Sequence, residues 1–115
     1  MIKLRKVNGE LIVSLYEVKK LNTIFSERVK EELKQLFREG NKKVIFDLSG
    51  INFIDSSGFS MLKSINALAN SNSSQFILCN ISAEVNELLL LLDLQDYFST
   101  CKRELTNEKI MIEVE

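Results

Sequence analysis

The sequence contains no histidine. That removes the usual general base, the Ser-His-Asp constellation and most zinc sites. There is no proline and there are only four glycines in 115 residues, so no flexible linker is visible and one domain is expected, residues 1–115. Cysteine is scarce too. Cys79 and Cys101 stand far apart and match no metal-ligand spacing, and Cys79, inside an apolar run, reads as a small core residue. Charge of one sign is missing: 15 basic and 16 acidic residues are interspersed and leave a net charge of -1. Such a balance describes solvated faces, with no footprint for nucleic acid or an anionic membrane. The longest apolar run, Leu88 to Leu92, is too short to insert into a bilayer. The N-terminus opens directly on strand-like alternation, so no secretory leader is expected. A soluble cytoplasmic domain without metal or cofactor is the default expectation.

What is present is a hydrophobic fraction of 45%, enough for a real core, and a clear change of period along the chain. Ile2 to Val7 alternates loosely, Asn8-Gly9 is a strong hairpin signal, and Glu10 to Tyr16 is rich in Leu, Ile and Val. From Thr23 to Glu39 the apolar residues Ile24, Val29, Leu33, Leu36 and Phe37 recur at helical spacing, and Gly40-Asn41 ends that helix. Lys43 to Leu48 reads as a strand buried on both faces. A second helix is predicted from Ser57, with Gly58, Met61, Leu62, Ile65, Leu68 and Ala69 on one face. Asn70 to Ser74 is a loop and Phe76 to Cys79 another buried strand. Ser82 offers an N-cap to a third helix whose stripe is Val85, Leu88, Leu89 and Leu92. Phe98 to Lys102 makes a short last strand, and the tail from Thr106 to Val114 leans to helix. Strands alternating with helices imply crossover connections and a parallel or mixed sheet.

The stretch Asp55-Ser56-Ser57-Gly58 falls where a strand hands over to the second helix. One reading is structural. Asp55 or Ser56 accepts a hydrogen bond from the free N–H groups of the helix, and Ser57 starts its first turn. The other reading is regulatory. A serine at a helix N-terminus sits at the positive end of the dipole, and phosphorylation adds about 1.5 to 2 negative charges there without rebuilding the fold. Catalysis by the chain itself is disfavoured, because the serines have no general base, and both G-x-S-x-G and a phosphate-binding P-loop are absent.

The segment VIFDLSGINFIDSSGFSMLKSI, Val44 to Ile65, resembles the signature of the STAS domain, found in bacterial anti-sigma factor antagonists and in the tails of sulfate transporters. AEVNELLLLLDLQDYF, Ala83 to Phe98, matches the family's later helix at Val85, Glu87, Leu88, Leu89, Leu94, Tyr97 and Phe98. The resemblance covers nearly the whole chain. It implies a mixed sheet of about four to five strands with helices packed largely on one side. It further implies an anti-sigma factor antagonist that binds an anti-sigma factor with serine kinase activity, is released by phosphorylation of Ser56, and is reset by a phosphatase. Ser57 is the alternative acceptor. Asn22, Asp55, Ser57, Gly58, Phe59 and Lys63 complete the implied partner-binding set. A second reading within the family is a scaffold or accessory subunit, stressosome-like or part of a transport complex, in which the serine pair only caps a helix. A weak homodimer also stays open.

Three departures from the family pattern stand out. Asn22 falls where an aspartate is common, which removes a charge from that position. Asp93 replaces the glycine that usually ends the third helix; aspartate tolerates the left-handed conformation better than most residues. Leu90 projects from the face opposite the apolar stripe, either as a single exposed leucine or as a contact for a partner or a second copy. Phe59, at the edge of its helix's stripe, is equally a core residue or a partner anchor.

Overall fold

The computed structural model of the chain describes residues 2–101. Strands β1 (Ile2–Val7) and β2 (Glu10–Leu15) form the foreseen hairpin. Its turn needs two residues at positive φ, and Asn8 and Gly9 supply them at 53° and 81°. A two-residue strand β3 (Lys20–Leu21) leads into α1 (Thr23–Arg38). Then follow β4 (Lys43–Asp47), a two-residue β5 (Phe53–Ile54), α2 (Ser56–Ser71), β6 (Gln75–Cys79), α3 (Ala83–Leu91) and β7 (Ser99–Thr100). The predicted tail helix, Thr106 to Val114, lies outside the described residues.

Five strands form one mixed sheet in the order β1-β2-β4-β6-β7. Only β1 runs antiparallel to its neighbour; the other pairs are parallel, each crossing over through a helix. Alternation along the strands sorts the two faces. Leu11, Val13, Leu15, Val44, Phe46, Phe76 and Leu78 share one core with the buried residues of all three helices. Val7, Ile12, Ile45 and Cys79 cluster separately on the other face. β3 and β5 pair with each other as a small parallel sheet beside the main one, Leu21 opposite Ile54. No sequence pattern announces two-residue strands.

Some predicted faces are corrected by the packing. Ile24 was placed on the buried stripe of α1, but it is 77% exposed, and Ser26 is buried instead. Ile24, five positions before Val29, lies about 140° around the helix from it and points off the stripe, whereas Ser26, three positions before Val29, falls on it. Leu92 was placed on the inner face of α3, but it is exposed. The helix ends at Leu91 and the chain turns at Asp93, so the helical period stops before Leu92. Leu94 packs against the core in its stead. Leu90 is therefore not a lone exposed leucine, since Leu90, Leu91 and Leu92 are all exposed.

The buried carboxylate Asp47 ties four segments together. Its Oδ1 accepts from Ser49 N (3.0 Å), Ser49 Oγ (2.6 Å) and Asn80 Nδ2 (2.9 Å), while Oδ2 pairs with Arg5 Nη2 at 3.4 Å. These bonds fasten β1 and the loops after β4 and β6 to the end of the central strand, and they keep a charge that is 2% exposed supplied with donors.

All three helices end in the same way. The residue after the C-cap is left-handed, at Gly40, Ser73 and Asp93, and the next residue donates back to the helix: Asn41 N to Leu36 O, Ser74 N to Ala69 O, Leu94 N to Leu89 O. Only the first of these positions is a glycine. Ser73→Gly and Asp93→Gly should each raise stability by about 0.5–1 kcal/mol, because they relieve the left-handed cost of a side chain. Urea melts of the two variants beside the parent check this, and a lower midpoint for both would refute it.

Candidate functional site

Asp55 follows β5 with extended backbone (φ −90°, ψ −175°) and is the N-cap of α2, which settles the choice between Asp55 and Ser56. The helix begins one residue earlier than predicted, at Ser56. Asp55 Oδ1 accepts from Gly58 N at 3.0 Å and from Ser57 Oγ at 2.6 Å. Its other oxygen accepts from Thr23 N at 3.2 Å and lies 3.5 Å from Thr23 Oγ1, at the start of α1. One carboxylate thus serves two helix N-termini. The Ser57 hydroxyl, then the Gly58 N–H, hold the Asp55 carboxyl below the ordinary carboxylate range, with smaller help from the N–H groups of Thr23 and Ser57 and against slight desolvation.

The two serines differ sharply. Ser57 is half-buried; beyond its bond to Asp55, its Oγ lies 3.3 Å from Ser26 Oγ and 3.4 Å from Thr23 Oγ1. A hydroxyl has one proton, and Asp55 takes it. Ser56 is exposed, and among the described residues its hydroxyl has no partner.

Gly58 is buried because nothing larger fits. A Cβ there would stand 2.6 Å from both Ile54 Cγ2 and Leu21 O. Its absence lets α2 rest on the β3–β5 pair, while Asp55 N donates to Leu21 O at 3.1 Å. Phe59 is 4% exposed and belongs to the core, so the partner-anchor reading of this residue is corrected. Leu92 and Leu94, just past the end of α3, line the groove on this side of α2. Asn22 is half-buried and caps α1, its Oδ1 accepting from Ile24 N at 3.1 Å. It is Thr23 beside it that reaches Asp55. Lys63 is exposed on α2, its Nζ 5.8 Å from the centre of the Tyr97 ring, a cation–π distance.

A groove of about 240 Å³ runs from Ser56 along Phe59, Ser60 and Lys63 to Leu92 and Leu94. It joins the exposed serine to Leu92, exposed at the end of α3, and to the half-buried Leu94. A second groove of about 350 Å³, between α1 and α2, includes Thr23, Ser26, Lys30 and Ser57. Sequence reasoning missed Thr23, Ser26, Ser60 and Leu94 as members of this neighbourhood. Thr23, Ser26 and Ser60 are signalled only by helical spacing on two helices whose mutual placement the sequence does not state, and Leu94 lies beyond α3. Among the described residues no group of three or more His, Cys, Asp or Glu could hold a metal, and no helix is long and apolar enough to cross a membrane.

The STAS domain family model matches residues 2–107. The chain belongs to the STAS domain family. Solved relatives of this STAS domain share its fold at low identity. One is an anti-sigma-factor antagonist (STAS) domain protein from Planctomyces limnophilus, 17% identical, with TM-score 0.79 over 99% of this chain and 98% of that one. A candidate anti-sigma factor antagonist from Thermotoga maritima is 22% identical, with TM-score 0.77 over 98% and 93%. The Bacillus cell fate determinant SpoIIAA in its phosphorylated form is 17% identical, with TM-score 0.66 over 100% of both chains. At these identities the likeness is one of fold.

Two outcomes follow from the geometry. Gly58→Ala should cost this STAS domain about 2–3 kcal/mol, since backbone and a buried side chain must both give way; a thermal midpoint within a degree of the parent would refute the close-approach argument. Asp55 titrates below its unfolded value, so its contribution to stability is present above about pH 4, its unfolded value, and is lost as pH falls through the lower folded value. Urea melts from pH 7 down to 3 should show the parent's advantage over Asp55→Asn shrinking only at the acid end. An advantage that grows toward low pH would have the wrong sign.

Proposed function

We propose that this STAS domain is an anti-sigma factor antagonist. It binds an anti-sigma factor that is also a serine kinase, phosphorylation of Ser56 ends the complex, and a phosphatase restores it. The setting is the cytoplasm, and the chain acts by binding rather than by catalysis.

The observation that carries this reading is the contrast between the two serines. Ser56 presents an unengaged hydroxyl to solvent at the positive end of α2. A phosphate there is favoured by the helix dipole and displaces nothing inside the fold. The same group on Ser57 would be forced against the Asp55 carboxylate that already holds its hydroxyl at 2.6 Å. Asp55 then acts by position: it fixes the first turn of α2 so that Ser56 stands at a constant place on the surface. Lys63, Leu92 and Leu94 extend that surface along the groove and suit a partner with an apolar contact and a nearby acidic group. A partner seated over Ser56 with its own acidic groups or closely packed surface meets new charge and bulk after phosphorylation. Gly58 and Phe59 support this surface from within rather than touching a partner through their side chains. The solved phosphorylated form of SpoIIAA, a protein of the same fold, is consistent with such a switch.

The test is a pull-down from native lysate with ATP or ADP, using the parent, Ser56→Asp and Ser56→Ala as baits, followed by binding measurements on the retained kinase. The parent and Ser56→Ala should bind a small ATP-binding kinase, and Ser56→Asp should lose roughly 100-fold or more in affinity, as like charge or buried unpaired charge implies. Incubation with kinase and ATP should label the parent and Ser57→Ala but not Ser56→Ala. Equal binding of Ser56→Asp and the parent would leave the serine pair as a helix cap and end the switch model.

A further inference from the structure

Cys79 and Cys101 are 22 positions apart in sequence, yet the sheet brings them face to face. Strands β6 and β7 pair in parallel, Ile77 opposite Ser99 and Leu78 opposite Thr100. Cys101 N donates to Leu78 O at 2.8 Å, so the ladder continues one residue further and sets Cys101 beside Cys79. Alternation turns both side chains to the sheet face that the helices do not cover, where they pack with Ile12 and Ile45. The two thiols lie within hydrogen-bonding reach, and both line one shallow cavity of about 210 Å³ with Ile45, Ile77 and Thr100. Adjacent strands are about 4.8 Å apart, inside the Cα separation of roughly 4.4–6.8 Å that a disulfide requires. Cys79 is wholly buried, whereas Cys101 is half-buried.

We propose that Cys79 and Cys101 form a reversible intramolecular disulfide when the protein meets a hydroperoxide. This site is independent of the phosphorylation reading. The half-buried Cys101 meets the oxidant first. Its thiolate attacks the terminal oxygen of hydrogen peroxide; an S–O bond forms, the O–O bond breaks, and hydroxide leaves and takes up the Cys101 proton as water. The sulfur of Cys79 then displaces the hydroxyl of the Cys101 sulfenic acid. The S–S bond forms, the S–O bond breaks, and the Cys79 proton leaves with hydroxide as a second water. Two thiols are oxidised by two electrons and one peroxide is reduced to two waters.

Burial, with the hydrogen bond and charge of Cys101, pushes the Cys79 thiol well above its usual pKa, with a smaller push from Asp47. Cys79 is therefore a poor first nucleophile and an effective resolving group only because its neighbour is already in place. A direct link between adjacent strands lies near the short end of the permitted span, which favours a labile, reversible bond over a permanent staple. The closed loop contains α3 together with Leu92 and Leu94, so oxidation would fix one wall of the groove beside Ser56.

The test uses the full chain, unmodified. It is treated with excess hydrogen peroxide, denatured, and reacted with a maleimide. Expected are no labelled thiols, a loss of 2 Da by intact mass, monomer mobility on a non-reducing gel, a peptide pair joined through Cys79 and Cys101, and two labels again after dithiothreitol. Cys101→Ser treated in the same way should retain one label, showing that Cys79 alone is shielded from peroxide. If both thiols of the parent still take maleimide, or if the oxidised chain is found only as a disulfide-linked dimer, the proposal is overturned.

Discussion

The Asp55 carboxylate is the contact on which the working end of this STAS domain depends. One oxygen caps α2 through Gly58 N and binds the Ser57 hydroxyl; the other reaches the first N–H of α1. Two helices from different parts of the chain therefore start at one negative charge, where both dipoles favour it. The β3–β5 pair places that charge, and the missing side chain of Gly58 lets α2 come down onto Leu21. Remove the carboxylate and two sets of N-terminal donors lose their partner together.

This arrangement divides the labour between neighbouring residues of one type. Ser57 is consumed by structure and Ser56 is left to solvent, because the first turn of a helix rotates successive side chains by about 100° and Asp55 lies on only one side. A modification at Ser56 can then change the surface without disturbing the cap. The groove toward Leu92 and Leu94 links that position to the end of α3, where Leu90 and Leu91 face outward on the last turn of the helix and Leu92 lies exposed at its cap before the left-handed turn at Asp93.

The sheet face that the helices do not cover is organised by a buried acid. Asp47 holds the ends of the loops after β4 and β6 and reaches across β2 to Arg5. Its neighbour in register is Cys79, and the next strand carries Cys101. Charge, thiols and apolar side chains share this face, which is why its chemistry differs from that of the helix-covered core.

Much of the architecture was legible from local signals. Asn8-Gly9 set the hairpin, since both positions require positive φ. The 3.6-residue stripes located three helices, and the uninterrupted apolar runs located β4 and β6. Asp93 was readable as a left-handed helix stop from its residue type. What the chain alone could not state was which of two possible neighbours each side chain would meet. Leu92 obeys the helical period but lies past the last turn of α3, while Ile24, about 140° around the helix from Val29, faces away from the buried stripe. Phe59 became core because the packed chain buries that edge of α2 in the main cluster. The pairing of Cys79 with Cys101 and the two-residue strands β3 and β5 arise from contacts between segments 20 or more residues apart, and the Asp55–Ser57 bond that separates the two serines depends on where the helix begins. Periodicity is a property of adjacent residues and is written in the sequence. Apposition is a property of the packed chain, and only the tertiary structure decides it.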